Sequence, residues 1–220
     1  MSGPIFWLFS NPPQISRFIA FAIVAVLAFA YHEFAHALVA DRLGDPTPRS
    51  FGRITPNPFV HLSLYGLAFL FLIGFGWAVT PVNPNRLRGN PRHAMAIVAV
   101  AGPLANLAMA ILFALPIRFS LVSPSSGDVI PTLWQFLQVG LSINLLLFAF
   151  NLMPIPPLDG FTILQGLLPP DLAYQLDAVQ QYGTMILLGV LVVLPLVGVD
   201  IFGLIIFPIM SGLASLLVGG

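Results

Sequence analysis

The chain has 220 residues, 58% of them hydrophobic and only 7% charged, where a soluble domain carries about a quarter charged residues. With a mean hydropathy of +0.95, this composition excludes a water-soluble globular domain and a disordered chain. A formal net charge of +0 leaves no basic surface for nucleic acid, and the absence of Cys removes disulfides, thiolate metal sites and Cys nucleophiles.

The apolar runs are too long for the short alternating strands of a membrane barrel. An all-α polytopic membrane protein is expected, a single membrane-embedded domain over residues 1–220. The N-terminus has no charged n-region and no small-residue cleavage site, so no removable signal peptide is expected. Trp7 and Phe9 suit an interfacial anchor. A first span covers roughly residues 16–41, unbroken by Pro or Gly, and Gly44, Asp45, Pro46 and Pro48 end it. Residues 47–57 are polar and Pro-rich, and read as a strand-like loop. Residues 62–79 are apolar but carry Gly66, Gly74 and Gly76. After a basic loop, spans are expected at 94–117 and 132–152. The second leads into a Pro-rich stretch, NLMPIPPLDG, at 151–160. Residues 169–182 read as a short amphipathic surface helix with Asp171 as N-cap. Two further spans, 183–198 and 201–218, bring the expectation to about five.

All eight basic residues are Arg, and the one Glu of the chain, Glu33, lies inside the first span. Its neighbours form His32-Glu33-Phe34-Ala35-His36, an HExxH pattern. Residues four apart share a helix face, so two imidazoles at this spacing can hold one metal ion, with the Glu beside a water on it. Ionisable groups inside a span are costly and mark function. A polar cluster bonding to neighbouring helices is the competing reading. A hydrolytic zinc site takes three protein ligands and an open position. Asp41, Asp45, Asp128, Asp171 and Asp177 belong to loops or surface elements. Asp159 differs, because it follows a span within a Pro-rich stretch that unwinds the helix. A turn residue before Gly160 is the plainer alternative for it.

The HExxH of the first span, Gly102-Pro103-Leu104-Ala105-Asn106, and Asn151-Leu152-Met153-Pro154-Ile155-Pro156-Pro157-Leu158-Asp159-Gly160 together resemble the site-2 protease family of intramembrane zinc metalloproteases, over residues 17–168 and in the short form without PDZ or CBS domains. The resemblance implies one zinc ion held by His32, His36 and Asp159, with Glu33 as catalytic base. Asn151 and Asn106 match family asparagines near the active site, as candidates for binding substrate or the oxyanion. Short members often read NPxxHLDPLG; here Ser63 and Leu64 stand where Asp and Pro are usual. The stretch Gly76–Val82 likewise lacks the Lys of a GWAKPV-like motif.

One ion needs its ligands at one depth. If residues 62–79 crossed fully, Asp159 would leave the membrane opposite the histidines. A re-entrant 62–79 segment corrects the parity. It also puts Arg42, Arg49, Arg53, Arg86, Arg88 and Arg92 on one face, cytoplasmic by the positive-inside rule, and leaves Arg17 and Arg118 opposite. The expectation is a multi-pass protein of the cell membrane with its active site toward the cytoplasm. It would hydrolyse a peptide bond in or near a transmembrane segment of a membrane-protein substrate in the lipid bilayer, with no nucleic-acid partner. An intramembrane metal or proton transporter, or a non-cleaving protein that binds membrane segments, are the alternatives.

Overall fold

The structure, a computed structural model, describes residues 4–73 and 80–219. Helix α1 (Ile15–Arg42) is followed by single helical turns α2 (Thr47–Ser50) and α3 (Pro58–His61), and by the ten-residue α4 (Leu64–Ile73). The long α5 (Pro91–Arg118) and α6 (Leu133–Asn151) come next, then α7 (Asp159–Leu167) and α8 (Pro170–Gln180). Two apolar helices close the chain, α9 (Gly183–Leu196) and α10 (Phe202–Val218).

Among the described residues, α1, α5 and α6 are long and apolar enough to cross a bilayer, and α8 with α9 adds a fourth candidate only as a pair bent by 73°. Five spans are therefore not found. Helix α9 ends at a turn where Gly198 takes φ +87°, and α10 is a shorter apolar helix.

Helix α5 packs against α1, α6 and α7, and α1 also packs on α6. Their contact surfaces are built from small residues. Ala20, Ala25, Ala28, Ala37 and Ala40 of α1 are buried, as are Ala94, Ala96, Ala99, Ala110 and Ala114 of α5. In lipid no hydrophobic force drives helices together, so close backbone approach supplies the attraction. Gly140 of α6 shows the tolerance: a Cβ there would lie 2.5 Å from the Phe113 ring. Helix ends are closed by side chains. Thr132 and Gln135 form a capping box on α6, and Asn90 accepts from Arg92 N–H and His93 N–H at the start of α5.

The ends of the helices fall on two faces. On one, Arg88 N–H donates to Leu43 O at 2.8 Å, tying the start of α5 to the end of α1. On the other, Ser16 N–H donates to Asp128 O at 3.2 Å, and the Gln135 amide donates to Ser16 Oγ at 3.1 Å. Residues 44–87 thus leave one face and return to it. Helix α4 is about 15 Å long, half of what a crossing needs. It reaches far into the bundle, where the Phe71 ring packs on Phe18 at 5.7 Å and Phe21 at 6.2 Å. Of the expected re-entrant segment 62–79, residues 62–73 are described; 74–79, with Gly74 and Gly76, lie outside the described residues.

No strand forms at 47–57. The Asp45 carboxylate accepts from Thr47 N–H at 3.0 Å and from its hydroxyl, which starts a helical turn at Thr47 instead. Arg49 closes that turn with a bidentate ion pair to Asp41 at 2.9 and 2.6 Å, and Gly52 bends the chain at φ +68°. One further detail differs from expectation. Asp171 lies within the first turn of α8, whose N-cap is Pro169. His61 is 1% exposed, and its Nε2–H donates to Thr55 O at 2.7 Å.

Asp45 is a fully buried acid at a polar turn. Burial alone would raise its carboxyl, but the bonds from the Thr47 hydroxyl, Asn83 N–H and Thr47 N–H, with Arg86 nearby, outweigh it and hold it below the usual value. A lowered folded-state pKa gives stability that is complete above the unfolded value of about 3.9 and disappears as pH falls through the folded one. The stability gap between the parent protein and Asp45→Asn should therefore be widest near neutral pH and shrink below about pH 4, as read by thermal unfolding across pH. For the two faces, single cysteines at Asn85 and Ser125 should react with an impermeant maleimide from opposite sides of sealed vesicles; labelling from the same side would overturn the arrangement.

Candidate metal centre

The histidine pair sits in the second half of α1, about 9–15 Å from its C-terminal end. His32, Glu33 and His36 are all buried. Four residues apart, the two imidazoles bring their Nε2 atoms to 3.0 Å of each other, edge to face. Asp159 reaches the same point from another element. It is the first residue of α7 rather than part of an unwound segment; the unwinding is confined to 152–158, between α6 and α7. That turn folds closely over the start of α7, since a Cβ at Gly160 would lie 2.3 Å from Leu152 O and 2.4 Å from Met153 O. Asp159 Oδ2 then lies 3.1 Å from His32 Nε2 and 3.3 Å from His36 Nε2. Among the described residues, His32, His36 and Asp159 form the one group of at least three His, Cys, Asp or Glu side chains that could hold a metal ion.

The outer nitrogens determine what the inner ones can do. His32 Nδ1 lies 2.6 Å from Asn106 Oδ1, and His36 Nδ1 lies 2.7 Å from Val98 O. Both partners are carbonyl oxygens, so each Nδ1 carries a proton, and in the neutral, metal-binding form of each ring Nε2 turns a bare lone pair inward. Two lone pairs 3.0 Å apart, with a buried carboxylate oxygen that has no hydrogen-bond partner, repel one another unless a cation lies among them. Ligands around a tetrahedral ion with bonds of about 2.0–2.1 Å stand about 3.3 Å apart, and the three separations here are 3.0, 3.1 and 3.3 Å. The donor set, two imidazoles and a carboxylate, suits zinc.

The cradle has a floor as well as walls. Gly102 of α5 faces the histidines, and a Cβ there would fall 2.3 Å from His36 Nε2 and 2.6 Å from His32 Nε2. Asn106, one turn on, is fully buried. Its oxygen holds His32, and its amide nitrogen donates to Ala28 O at 3.2 Å and to Asn144 Oδ1 at 3.1 Å. Both N–H groups are engaged, which leaves none for an oxyanion. Asn144 in turn donates to Gly140 O at 2.8 Å. Asn151, at the end of α6, uses one amide N–H on Leu147 O at 3.0 Å and is only partly buried.

Glu33 points to a partner that no motif announced. Thr80 Oγ lies 2.6 Å from Glu33 Oε2 and 3.1 Å from Glu33 O. Asn144 and Thr80 were both missed in the sequence. Asn144 lies seven residues before Asn151 on one helix face, a periodicity that could have marked it. Thr80 gives no such signal.

Residues 20–130 and 120–194 match peptidase family M50. The chain belongs to that family. This peptidase is 39% identical over 177 residues to "Putative zinc metalloprotease YwhC" of Bacillus subtilis, spanning 79% of this chain and 80% of that protein. It is 28% identical over 229 residues to "Putative zinc metalloprotease Rip2" of Mycolicibacterium smegmatis (98% and 85%), and 29% identical over 166 residues to "Putative zinc metalloprotease MJ0611" of Methanocaldococcus jannaschii (73% and 78%). No solved structure matches the peptidase. With this family and an HExxH helix, the chain is a membrane metalloprotease of the site-2 protease group.

The Gly102 contact gives a direct test of the cradle. Gly102→Ala should abolish stoichiometric metal binding while the protein still purifies as a folded helical species, measured by metal analysis and circular dichroism. Asn106→Ala should weaken metal affinity about 10- to 100-fold by releasing the His32 ring, read by competition with a chromophoric chelator.

Proposed function

We propose that this metalloprotease hydrolyses a peptide bond within or near a transmembrane segment of a membrane-protein substrate, using one zinc ion held by His32, His36 and Asp159. The observation that carries the reading is the convergence of two Nε2 atoms from a spanning helix with a carboxylate from another element. A cluster at this depth serves a substrate that is itself at this depth. Family membership and the names of the relatives support zinc as the ion.

When bound, zinc supplies Lewis acidity, which brings a water within reach of deprotonation near neutral pH and polarises the scissile carbonyl. The chain's own residues do the rest. Glu33, adjacent to His32 on the same helix, takes the water proton on its carboxylate and returns it to the leaving amine. Asn106 and Val98 hold the histidine rings in the tautomer that keeps Nε2 free. Asn151 keeps a second amide N–H for the substrate carbonyl or the developing oxyanion. The Pro-containing turn at 152–158 leaves irregular backbone beside Asp159, where water can enter without breaking a span.

The orientation follows from charge. Arg42, Arg49, Arg53, Arg86, Arg88 and Arg92 lie toward the face where α1 ends and α5 begins, and Arg17 and Arg118 lie toward the other. The positive-inside rule makes the first face cytoplasmic, with the metal centre nearer to it.

Glu33→Gln should cut turnover of a membrane-embedded reporter at least about 100-fold while retaining one zinc per chain. Retained cleavage would refute the base assignment. Asp159→Asn should lower zinc occupancy, and unchanged metal content would refute its role as a ligand.

A further inference from the structure

Asp45 is fully buried and carries charge, yet it lies outside the metal-binding set. It sits just past α1, and its two oxygens face different segments. Oδ1 accepts from Thr47 N–H at 3.0 Å and from the Thr47 hydroxyl, which fixes the carboxylate to the end of α1. Oδ2 accepts from Asn83 N–H at 2.6 Å. That second bond joins α1 to a segment 38 residues away. The junction is reinforced nearby, where Arg88 N–H donates to Leu43 O at 2.8 Å. Leu87 is buried there with Ala40, Ala94 and Val98. Three residues upstream of Asn83 is Thr80, whose hydroxyl meets Glu33.

We propose that Thr80 is a positioning residue for Glu33, and that Asp45, through Asn83, holds Thr80 in place. The Thr80 hydroxyl has one proton. Of its two acceptors it donates to the carboxylate oxygen Oε2 at 2.6 Å, the shorter and charge-assisted bond, rather than to the Glu33 carbonyl at 3.1 Å. Its effect is to distinguish the two carboxylate oxygens. Oε2 is occupied, the carboxylate is pinned in one rotamer, and Oε1 keeps its lone pairs for a water. A free Glu side chain would spread over several rotamers, and only one of them serves as base. The clamp is electrostatic at one end and positional at the other: a buried carboxylate fixes a backbone N–H, and the backbone delivers a hydroxyl.

The proposal rests on Glu33 being the base, and the experiment separates the two. Thr80→Val, Thr80→Ser, Asp45→Asn, the Thr80→Val/Asp45→Asn double variant and Glu33→Gln are compared in the full-length, zinc-loaded protein. The readouts are kcat and KM on a membrane-embedded reporter, zinc content, and maleimide labelling of Val82→Cys, the chain having no other Cys. Thr80→Val should lower kcat about 10- to 150-fold with KM and zinc content unchanged, the size expected for losing a hydrogen bond to a charged group. Thr80→Ser should recover most of the rate. Asp45→Asn should speed labelling at position 82 even in protein stripped of zinc. The double variant should be no slower than the slower single, because both substitutions break one chain of contacts. Parent-like kcat in Thr80→Val, beside an inactive Glu33→Gln, overturns the role of Thr80 and leaves the base intact. Additive losses, or unchanged labelling at position 82, overturn the link from Asp45. Cleavage by Glu33→Gln overturns the base reading and this inference with it.

Discussion

Two imidazoles bring their Nε2 atoms to 3.0 Å of each other, with a buried carboxylate oxygen closing the triangle. With neutral rings and no cation this arrangement is repulsive at every edge. The surrounding structure makes it tolerable. Asn106 and Val98 accept the Nδ1 protons, so the rings cannot turn over. Asn144 fixes the Asn106 amide, and Gly140 O anchors Asn144. Gly102 leaves the space in front of the rings empty. Three helices, α1, α5 and α6, each contribute a polar residue to this column, and the small-residue packing between them brings the backbones close enough for short side chains to connect.

The same constraint explains the path of the chain. Asp159 must return to the depth of His32 and His36 after α5 and α6, and it can do so only if everything between α1 and α5 begins and ends on one face. The Leu43–Arg88 backbone bond joins the two ends of that stretch, and Phe71 within it packs on Phe18 and Phe21. Asp45 works at the closure, which is why a charged group is retained in a fully buried position there.

The HExxH spacing and the one Glu in an apolar run identified the centre from sequence, because a helix converts a spacing of four directly into proximity. Asp159 needed the family motif, since it comes from an element 123 residues beyond His36. The three long spans were legible from hydropathy alone. The C-terminal third was not: two apolar helices separated at Gly198 were read as spans from their hydropathy, but neither alone is long enough to cross. The 47–57 segment was misread because extended backbone and a helical turn differ there by the two hydrogen bonds of Asp45, and composition does not reveal where a carboxylate points. Asn106 was read as a group for substrate. Its neighbours Ala28 and Asn144, which take up its amide, are adjacent only in three dimensions.

The closed excursion between Leu43 and Arg88 also separates two kinds of inheritance in the chain. It starts and finishes at one hydrogen-bonded junction, so its two ends stay on one face whatever residues stand between them. Ser63 and Leu64, which replace the Asp and Pro usual in short members, fall inside this loop. Thr80, near the other end of the same loop, meets Glu33 through its hydroxyl. A peptidase built in this way can change what it admits without rebuilding what it cuts with.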